Sequence, residues 1–441
     1  MLNQVKKIVC PYCFYEFKEP NDVLFRASYS IEEDPDFFQK DDEELNIYNK
    51  EFGKYSAGKM NAVIEPYDRN LIKIRRKNSG SEIITSIVDK NDRESSVRLC
   101  RRCHNILPVE IGFHDTTVIS VAGISQSGKS AYMMALTQKL MEGIAGTSFV
   151  PQDLGTYRKF KNVYDNGSLP EATPPGKRQS AYIYKFSAGN TLSDTILSFF
   201  DASGEFFTGD PNENMTADHI RHSDGILLVL DSFRINKLRK KIKEIRNVEN
   251  ELNFPAEEQM LVILKLVQNF IGGTNKYRNN KISVPTAIIL TKSDLLENTG
   301  IISEDSPVFK DFKHENKLDL RQCRLIHDEV EKLLREYQSN IADSIDKSFE
   351  NYHFFAVSSL GRDFSSSNFS PEEVCSRRIA EPFLWLMYKM GYIEALEDPV
   401  VDCETEMVEK KPEKKTVKRA ENREADIDLD EIIAKVRGII S

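Results

Sequence analysis

The sequence predicts an α/β fold in which a mostly parallel sheet is flanked by helices, preceded by a small cysteine-bearing domain. From residue 116 to about 397, runs rich in β-branched and aromatic residues alternate with helical patterns, which is typical of βα units. Two of the runs, GILLVLDSF and TAIILTKSD, are almost continuously apolar, as in strands that are covered on both faces. Four of the seven cysteines stand in two close pairs before residue 116.

Composition and charge indicate a globular protein with a sizeable core. The chain has 441 residues, of which 40% are hydrophobic and 29% charged. It contains no apolar run long enough to span a membrane, and its first residues lack the apolar core of a signal peptide. An odd cysteine count without such a signal fits a reducing compartment, so we expect a cytoplasmic protein. The net charge of −9 argues against bulk attraction to nucleic acid.

Composition divides the chain into four segments. Residues 1–115 hold the cysteine pairs around an acidic stretch, and residues 116–397 hold the alternating strands and helices. Residues 398–425 are dominated by charge, which is typical of a flexible linker. Residues 426–441 carry apolar residues at helical spacing, which predicts a short amphipathic helix. Docking of this helix on a partner and folding back on its own domain both stay open.

The strands of the central segment follow one another in a legible order. A first strand covers Thr116 to Ile124, and two later ones form an antiparallel pair with a turn around Gly189. The run MLVILKLVQNFI predicts a buried helix, and the cluster FLWLMY predicts the core face of the last helix of this segment. The remaining strands are expected to start near Ser180, Thr195, Gly225, Thr286 and Asn351.

The segment GISQSGKS fits the P-loop pattern G-x-x-x-x-G-K-[ST] at every position. Small residues let successive backbone N–H groups curl around phosphates, and the following helix turns its positive end toward them. Lys129 is expected to reach the β- and γ-phosphates, and the Ser130 hydroxyl to bind magnesium. A strand precedes this loop and a helical pattern follows it, as the motif requires. The predicted nucleotide-binding residues here are Gly123, Ser125, Gln126, Ser127, Gly128, Lys129, Ser130 and Ala131.

A second phosphate element, DASGE, follows the strand SFF. An aspartate at the end of an apolar strand suits magnesium, so we expect Asp201 to hold the ion through its water shell. Gly204, three residues on, lets a backbone N–H approach the γ-phosphate. D-x-x-G alone is a weak signal; its position downstream of a P-loop makes it informative.

The segment TKSD, directly after the strand TAIIL, predicts a guanine site. Asp294 is suited to accept hydrogen bonds from guanine N1–H and the 2-amino group, which adenine does not offer. Lys292 is expected to lay its aliphatic stem over the base and to tie back to the P-loop, beside Thr291. A backbone N–H of the segment Ser358, Ser359 and Leu360 is expected to face guanine O6.

Together, GISQSGKS, DASGE, TKSD and SSL resemble the translation-factor and Ras-like class of P-loop GTPases over about 280 residues. The resemblance implies two switch segments, a conformational change, and magnesium-dependent hydrolysis of GTP to GDP. With its cysteine pairs and the segment EPFLWLMYKMGYI, the chain is similar to the zinc-ribbon-bearing double-GTPase families of prokaryotic conflict systems. That similarity implies a role in defence.

Two positions of the resemblance bear on hydrolysis. Thr173 stands where the first switch supplies a threonine to magnesium and the γ-phosphate, although LPEATPP also fits an ordinary proline-rich loop. Glu205 stands where many relatives carry a water-orienting glutamine. A carboxylate near the γ-phosphate meets charge repulsion, so we expect slow intrinsic hydrolysis, helped by positive charge from a partner or a second protomer. Glu205 as a merely solvated switch residue is the alternative. The predicted catalytic residues are Lys129, Thr173, Gly204 and Glu205.

The two C-x-x-C pairs predict a zinc ribbon. Four thiolates in a tetrahedron suit structural zinc, here from Cys10, Cys13, Cys100 and Cys103. The 86 residues between the pairs require a long insertion whose ends meet at the metal. His104 is interpreted as a neighbour rather than a ligand. Unmetallated thiols or a redox pair remain the alternative. The arginines beside the second pair could attract an acidic partner, but nucleic-acid binding is unsupported: Arg98, Arg101 and Arg102.

The sequence therefore predicts a GTP-binding, slowly hydrolysing molecular switch with Mg²⁺, GTP or GDP, and Zn²⁺ as its bound species. A protein effector or activator is expected. The alternative is a nucleotide-sensing adaptor that binds GTP without significant turnover and acts through its zinc ribbon or C-terminal helix. An ATP-driven motor is disfavoured by TKSD and by the lack of an evident helical lid domain.

Overall fold

The computed structural model of the chain divides into two compact units, Met1–Asp398 and Pro399–Ser441, and the residues it describes all lie in the first. The predicted linker and terminal helix, residues 398–441, therefore lie outside the described residues. No helix within the described part has both the length and the apolar character needed to cross a membrane. The structure describes residues 8–29, 39–52, 54–68, 71–78, 82–89, 92–168, 181–189, 194–201, 218–246, 258–271, 275–315, 317–361 and 370–396.

The N-terminal region consists of small antiparallel sheets and one helix. One sheet has the order β4-β1-β8, a second pairs β2 with β3, and a third has the order β5-β6-β7. Asp42 caps the helix by accepting a hydrogen bond from the Leu45 N–H. The elements are β1 Val23–Arg26, β2 Lys40–Asp41, α1 Glu43–Glu51, β3 Lys59–Met60, β4 Val63–Ile64, β5 Leu71–Asn78, β6 Glu82–Asp89, β7 Glu94–Ser95 and β8 Arg98–Cys100.

The central region alternates strands with helices, as predicted. The antiparallel pair and the buried helix before residue 285 are confirmed. Its elements are β9 Asp115–Ala122, α2 Lys129–Met141, β10 Thr147–Pro151, α3 Leu154–Asp165, β11 Tyr182–Ala188, β12 Thr195–Asp201, α4 Asp218–His222, β13 Gly225–Asp231, α5 Asn236–Arg246, α6 Glu258–Ile271, β14 Tyr277–Arg278, β15 Lys281–Ile282, β16 Thr286–Thr291, β17 Leu318–Asp319, α7 Leu320–Tyr337, α8 Ser339–Ser348, β18 Tyr352–Ala356, α9 Glu381–Lys389 and β19 Ala395–Leu396.

A seven-stranded sheet with the order β10-β11-β12-β9-β13-β16-β18 organises this region. The five strands from β12 to β18 run parallel, while β11 is antiparallel to both of its neighbours. The mostly parallel α/β architecture predicted from the sequence is thus confirmed. The edge strand β10 was not predicted, because TSFVP is short and ends in proline.

Both faces of the sheet are covered, which explains why β12 and β13 are buried along their whole length. One apolar cluster packs α2 and α9 on one face, and another packs α5, α6, α7 and α8 on the opposite face. Over β9, β11 and β12, the N-terminal region takes the place of helices. Its apolar side chains share a cluster with Val118, Ile196 and Phe200 of the sheet.

Candidate nucleotide and metal sites

The predicted nucleotide-binding loops meet at one edge of the sheet. Each follows the carboxyl end of a parallel strand, where open α/β sheets bind their ligands. They follow β9, β12, β16 and β18, in the order of the sequence motifs. The described site residues at this edge are Gly123 to Ala131, Asp201, Thr291, Lys292, Asp294, Ser358, Ser359 and Leu360.

The phosphate loop needs its glycines for steric reasons. A Cβ on Gly123 would lie 2.6 Å from the carbonyl oxygen of Val229, so no side chain fits there. Gly128 has a φ of 91° and stands directly before α2, a left-handed conformation that disfavours other residues. Gln126, also left-handed, is exposed at the tip. Ser125 and Ala131 are partly buried. The loop is thus shaped by its own backbone and by β13.

Lys129 is held against the loop that precedes it. Its Nζ donates hydrogen bonds to the carbonyl oxygens of Gly123 and Ile124, at 3.0 and 2.8 Å. Burial lowers the pKa of Lys129, against the opposing effect of the Asp201 carboxylate. An ammonium bonds more strongly to charged phosphate oxygens than to neutral carbonyl oxygens, so a bound phosphate would compete for this group.

Ser130 and Asp201 are brought together although 70 residues separate them in the chain. The Ser130 hydroxyl donates to Oδ2 of Asp201 at 3.4 Å. Oδ1 of Asp201 is buried and has no hydrogen-bond partner among the described residues. Burial raises the pKa of Asp201 to about 6, although Lys129 and Ser130 act to lower it. A hydroxyl beside an under-satisfied buried carboxylate fits a magnesium site, because this ion prefers oxygen ligands.

Three predicted site residues cannot be placed. Thr173, Gly204 and Glu205 lie outside the described residues, in the ranges 169–180 and 202–217. The ends of the second range are described: Asp201 closes β12, and α4 begins at Asp218. The predicted switch and catalytic roles of these three residues therefore stay predictions.

The base loop is fastened to the phosphate loop by Thr291. Its hydroxyl donates to the carbonyl oxygens of Ser127, at 2.7 Å, and Leu230, at 3.1 Å. The tie to the P-loop that was predicted for Lys292 is made by Thr291, and the Lys292 Nζ donates to Asp231 Oδ2 at 2.7 Å. Lys292 directly follows Thr291, which is paired with Asp231 in the register of β13 and β16, so the two side chains lie within reach of each other.

Asp294 and the segment after β18 are directly joined. The Ser358 hydroxyl donates to Oδ1 of Asp294 at 2.6 Å. The backbone N–H of Ser358 donates to the carbonyl oxygen of Arg377, so it is engaged within the protein. The N–H groups of Ser359 and Leu360 have no backbone acceptor among the described residues. These two, rather than Ser358, are the N–H groups that a base could use.

Two charged residues at this edge, Asp231 and Arg234, were not predicted from the sequence. Asp231 ends β13, is buried, and pairs with Lys292. Arg234 is also buried and donates to the carbonyl oxygen of Ser125 at 3.0 Å. Asp231, like Asp201, stands at the end of an apolar run, so the same sequence criterion would have predicted it as a site residue. Nothing in the local sequence distinguishes Arg234 from a surface arginine.

The four paired cysteines form one cluster. Cys10 Sγ lies 3.9 Å from Cys103 Sγ, and Cys13 Sγ lies 3.6 Å from Cys100 Sγ. All four sulfur atoms lie within 4.8 Å of one another. Four thiolates around zinc, each at about 2.3 Å, stand about 3.8 Å apart in a tetrahedron. The donor set and its spacing therefore fit a four-coordinate zinc ion.

The two cysteine pairs adopt the same backbone turn. The residue after each pair, Phe14 or His104, is left-handed, and its N–H donates to the carbonyl oxygen of the first cysteine. The backbone N–H of the first cysteine donates to the carbonyl oxygen five residues later in the chain, that of Tyr15 or Asn105. Backbone and amide N–H groups also reach sulfur, from Arg102 to Cys100 and from Asn105 to Cys103. Such outer hydrogen bonds orient thiolate ligands.

The polar residues beside the second pair are used within the protein. His104 bonds Asp42 through Nδ1 at 2.8 Å, which agrees with its interpretation as a neighbour of the cluster. Arg98 is buried and donates to backbone carbonyls. Arg101 forms ion pairs with Asp22 and Glu65. Arg98 is therefore enclosed by the protein, and the charge of Arg101 is balanced by two carboxylates.

The cysteine cluster is packed directly on the sheet. The Val9 N–H donates to the Thr116 hydroxyl at 2.7 Å. The ring of Phe14 lies 4.7 Å from that of Phe200, the residue before Asp201, and stacks on His222 of α4 at 5.2 Å. One ring thus contacts β12 and α4, the two elements that flank the range 202–217.

A comparison with protein families decides the assignment. The model of a family described as Double-GTPase 2 matches residues 117–381. The chain belongs to this family. Its central part is accordingly a GTP-binding domain. The match starts within β9 and ends at Glu381, the first residue of α9.

Two further comparisons give more distant similarities. The chain is 22% identical over 330 residues, 68% of its length and 81% of the relative's, to the protein named "Putative ESX-1 scaffolding and assembly protein SaeC" of Mycolicibacterium smegmatis. Two crystal structures of the S. cerevisiae Ski7 GTPase-like domain, one with GDP and inorganic phosphate and one with GTP, match with a TM-score of 0.32. Their identities are 16% and 15%, over 64% of this chain and 52% of theirs.

Proposed function

We propose that this member of the Double-GTPase 2 family binds GTP with magnesium and hydrolyses it slowly to GDP, as a molecular switch. The observation that carries the proposal is the junction of the phosphate and base loops, where Thr291 donates to the Ser127 carbonyl oxygen at 2.7 Å. A triphosphate and a purine base need these two loops at a constant separation. Preorganised loops lower the cost of ordering a ligand.

The phosphate residues take the following roles in this proposal. The Lys129 ammonium exchanges its carbonyl partners for β- and γ-phosphate oxygens, and backbone N–H groups of residues 125–131 surround the phosphates. Ser130, Asp201 and Thr173 hold magnesium, which when bound neutralises charge on the phosphates. The Gly204 N–H approaches the γ-phosphate, and Glu205 lies near the attacking water.

The base residues discriminate guanine from adenine. Asp294 accepts hydrogen bonds from the N1–H and the 2-amino group of guanine, and the Lys292 stem covers one face of the ring. The Ser358 hydroxyl orients the Asp294 carboxylate through their 2.6 Å bond. An N–H of Ser359 or Leu360 donates to guanine O6. Adenine offers neither of these two donors to the Asp294 carboxylate, which is the basis of the expected selectivity.

We also propose that Cys10, Cys13, Cys100 and Cys103 bind a structural zinc ion. The support is the sulfur geometry together with the matching backbone turns of the two pairs. Free thiols of this kind are typical of a reducing compartment such as the cytoplasm.

Calorimetry with GTP and ATP in the presence of magnesium tests the nucleotide assignment. The wild type should bind GTP and discriminate against ATP. Asp294→Asn should weaken GTP binding and relieve the discrimination, because the amide cannot accept both guanine hydrogen bonds. Lys129→Ala should weaken both nucleotides. Equal binding of ATP and GTP that is unaffected by Asp294→Asn would overturn the assignment.

The second candidate function is an adaptor that binds GTP without significant turnover. Glu205 in place of the usual glutamine favours it, and so does the similarity to a protein named for scaffolding and assembly. Such an adaptor acts on a protein partner through the cysteine region or the C-terminal segment. Single-turnover phosphate release separates the two functions: a hydrolase releases phosphate in a Lys129-dependent reaction, whereas an adaptor keeps the nucleotide intact for hours. A role in prokaryotic defence rests on the family resemblance alone.

A further inference from the structure

Arg377 lies outside every nucleotide motif, yet its backbone pairs with the segment after β18. The Arg377 N–H donates to the Ser358 carbonyl oxygen at 2.8 Å, and the Ser358 N–H returns a bond of 3.2 Å to Arg377. The Cys375 N–H donates to Leu360 at 3.1 Å. A Cβ on Gly361 would lie 2.3 Å from the Cys375 carbonyl oxygen, so the two segments are closely packed. One half of the proposed base site is therefore supported by residues 375–377.

The Arg377 side chain reaches the other half of the base site. Its Nη1 and Nη2 donate to the two carboxylate oxygens of Glu297, at 3.2 and 2.8 Å. Glu297 directly follows the 3-10 turn Ser293–Leu296, which contains Asp294, and its N–H donates to the Asp294 carbonyl oxygen at 3.3 Å. Nη1 also donates to the Phe309 carbonyl oxygen at 3.0 Å. A planar guanidinium matches a carboxylate in this two-bond geometry, which a lysine cannot reproduce.

These contacts close a ring around the site. Asp294 is joined to Ser358 through side chains, Ser358 to Arg377 through the backbone, Arg377 to Glu297 through the ion pair, and Glu297 to Asp294 through the turn. The Arg377 side chain is 13% exposed and that of Glu297 38%, so solvent screens the pair only in part. The ring fixes the separation of two loops that come from different strands.

We propose that Arg377 is a positioning residue for guanine selectivity, which rests on the proposed function of this site. It holds the Asp294 carboxylate and the N–H groups of Ser359 and Leu360 at the separation that the two edges of one guanine ring require. Hydrogen bonds discriminate only when donor and acceptor lie within a few tenths of an ångström of their optimum. Loosening the ring lowers guanine affinity and leaves phosphate binding unchanged.

The chain offers a matched control in the next residue. Arg378 is buried, whereas Arg377 is half-buried. The Arg378 guanidinium donates to Glu381 and to the carbonyl oxygens of Pro307 and Lys310, and not to Asp294 or Ser358. Arg377→Gln and Arg378→Gln each remove one cation that is ion-paired with a glutamate. Both are expected to lower the Tm. Only Arg377→Gln is expected to change the choice between guanine and adenine.

Competition against a fluorescent GDP analogue, with GDP and ADP as competitors, measures the selectivity of the full chain. Arg377→Gln should reduce the ratio of GDP to ADP affinity about tenfold, the equivalent of about one hydrogen bond. Glu297→Gln should reduce the ratio similarly, and the double variant should lose no more than either single one, because the two residues act as a unit. Arg377→Lys should retain only part of the wild-type ratio of GDP to ADP affinity.

The outcomes separate this inference from the proposed function. A wild type that does not prefer GDP to ADP overturns the proposed function itself. A wild type that prefers GDP, with an unchanged ratio in Arg377→Gln, overturns the positioning role alone. An equal fall of the ratio in Arg377→Gln and Arg378→Gln also overturns it, since the effect would then follow from general loosening of the fold.

Discussion

Asp42, in the cysteine region, and Asp201, at the phosphate site, are both buried aspartates in opposite surroundings. Asp42 accepts hydrogen bonds from Arg26, His104 and the Leu45 N–H. Burial raises its pKa, but these bonds outweigh burial and lower the pKa to about 2. Asp201 accepts one long hydrogen bond from Ser130, and its other carboxylate oxygen has no hydrogen-bond partner among the described residues. Burial raises the pKa of Asp201 to about 6.

The difference separates a carboxylate that holds the fold together from one that is kept for a ligand. A fully bonded buried charge contributes to stability, whereas an under-satisfied one costs free energy until something binds it. Strongly perturbed carboxylates of the second kind gather at functional sites. We therefore expect changes at the two sites to affect stability with opposite signs.

The largest effect is expected from removing the metal of the cysteine cluster. A chelator, or Cys103→Ser, should expose residues 8–114 to proteolysis and lower the Tm strongly, since four-thiolate sites supply about 10 kcal/mol or more in small zinc domains. It should also release His104 from Asp42. Scanning calorimetry and the zinc content of the purified protein measure this.

Cys375→Ser is the control, because Cys375 is an exposed thiol outside the cluster. It should leave both the zinc content and the Tm unchanged. Purified wild-type protein that holds no zinc, and whose Tm is lowered neither by a chelator nor by Cys103→Ser, would contradict the metal assignment.

The second-largest effect is expected from disrupting the hydrogen bonds that Asp42 accepts. Asp42→Asn should cost about 3 kcal/mol, because Arg26 loses the charge of its buried partner. Since the folded pKa of Asp42 lies below the unfolded one, its stabilisation is complete above about pH 4 and is lost as the pH falls toward 2. In urea denaturation between about pH 2.5 and 7, the free energy of unfolding of the variant should fall less steeply with acid than that of the wild type.

Asp41→Asn provides the matched control, as Asp41 is the exposed neighbour on β2. Its stability and acid decline should equal those of the wild type. If Asp42→Asn retained the wild-type acid decline, the carboxylate would not be the group responsible.

The smallest effect, and the one of opposite sign, is expected at Asp201. Asp201→Asn should stabilise the nucleotide-free protein by about 1–3 kcal/mol, because a buried carboxylate without adequate partners becomes a neutral amide. The same variant should lose the magnesium dependence of nucleotide affinity. Denaturation without ligand and calorimetry with and without magnesium measure the two halves of this prediction.

Asp194→Asn tests whether position alone matters, since Asp194 directly precedes the same strand at its other end and is partly exposed. It should change neither property appreciably. Destabilisation of the nucleotide-free protein by Asp201→Asn would mean that the carboxylate is structural, as Asp42 is.

Much of the fold and of the site was predictable because the relevant information is local. Apolar runs such as those of β13 and β16 identify strands covered on both faces, and the P-loop is built from eight consecutive residues between one strand and one helix. The antiparallel pair β11 and β12 follows from alternation and a short connection. The edge strand β10 was missed because its five residues end in a proline and carry no periodic signal.

By itself the sequence determined which chemical groups are present and which local turns display them: a glycine loop with Lys129, two C-x-x-C pairs, and Asp294 after an apolar strand. Only the tertiary structure decided the partners of those groups. Lys292 pairs with Asp231, Ser358 with Asp294, and Arg377 with Glu297. These pairs span 61 to 80 positions of the chain, and parallel strand order brings them together. Local patterns carry no information on which distant side chain will lie within 3 Å of another.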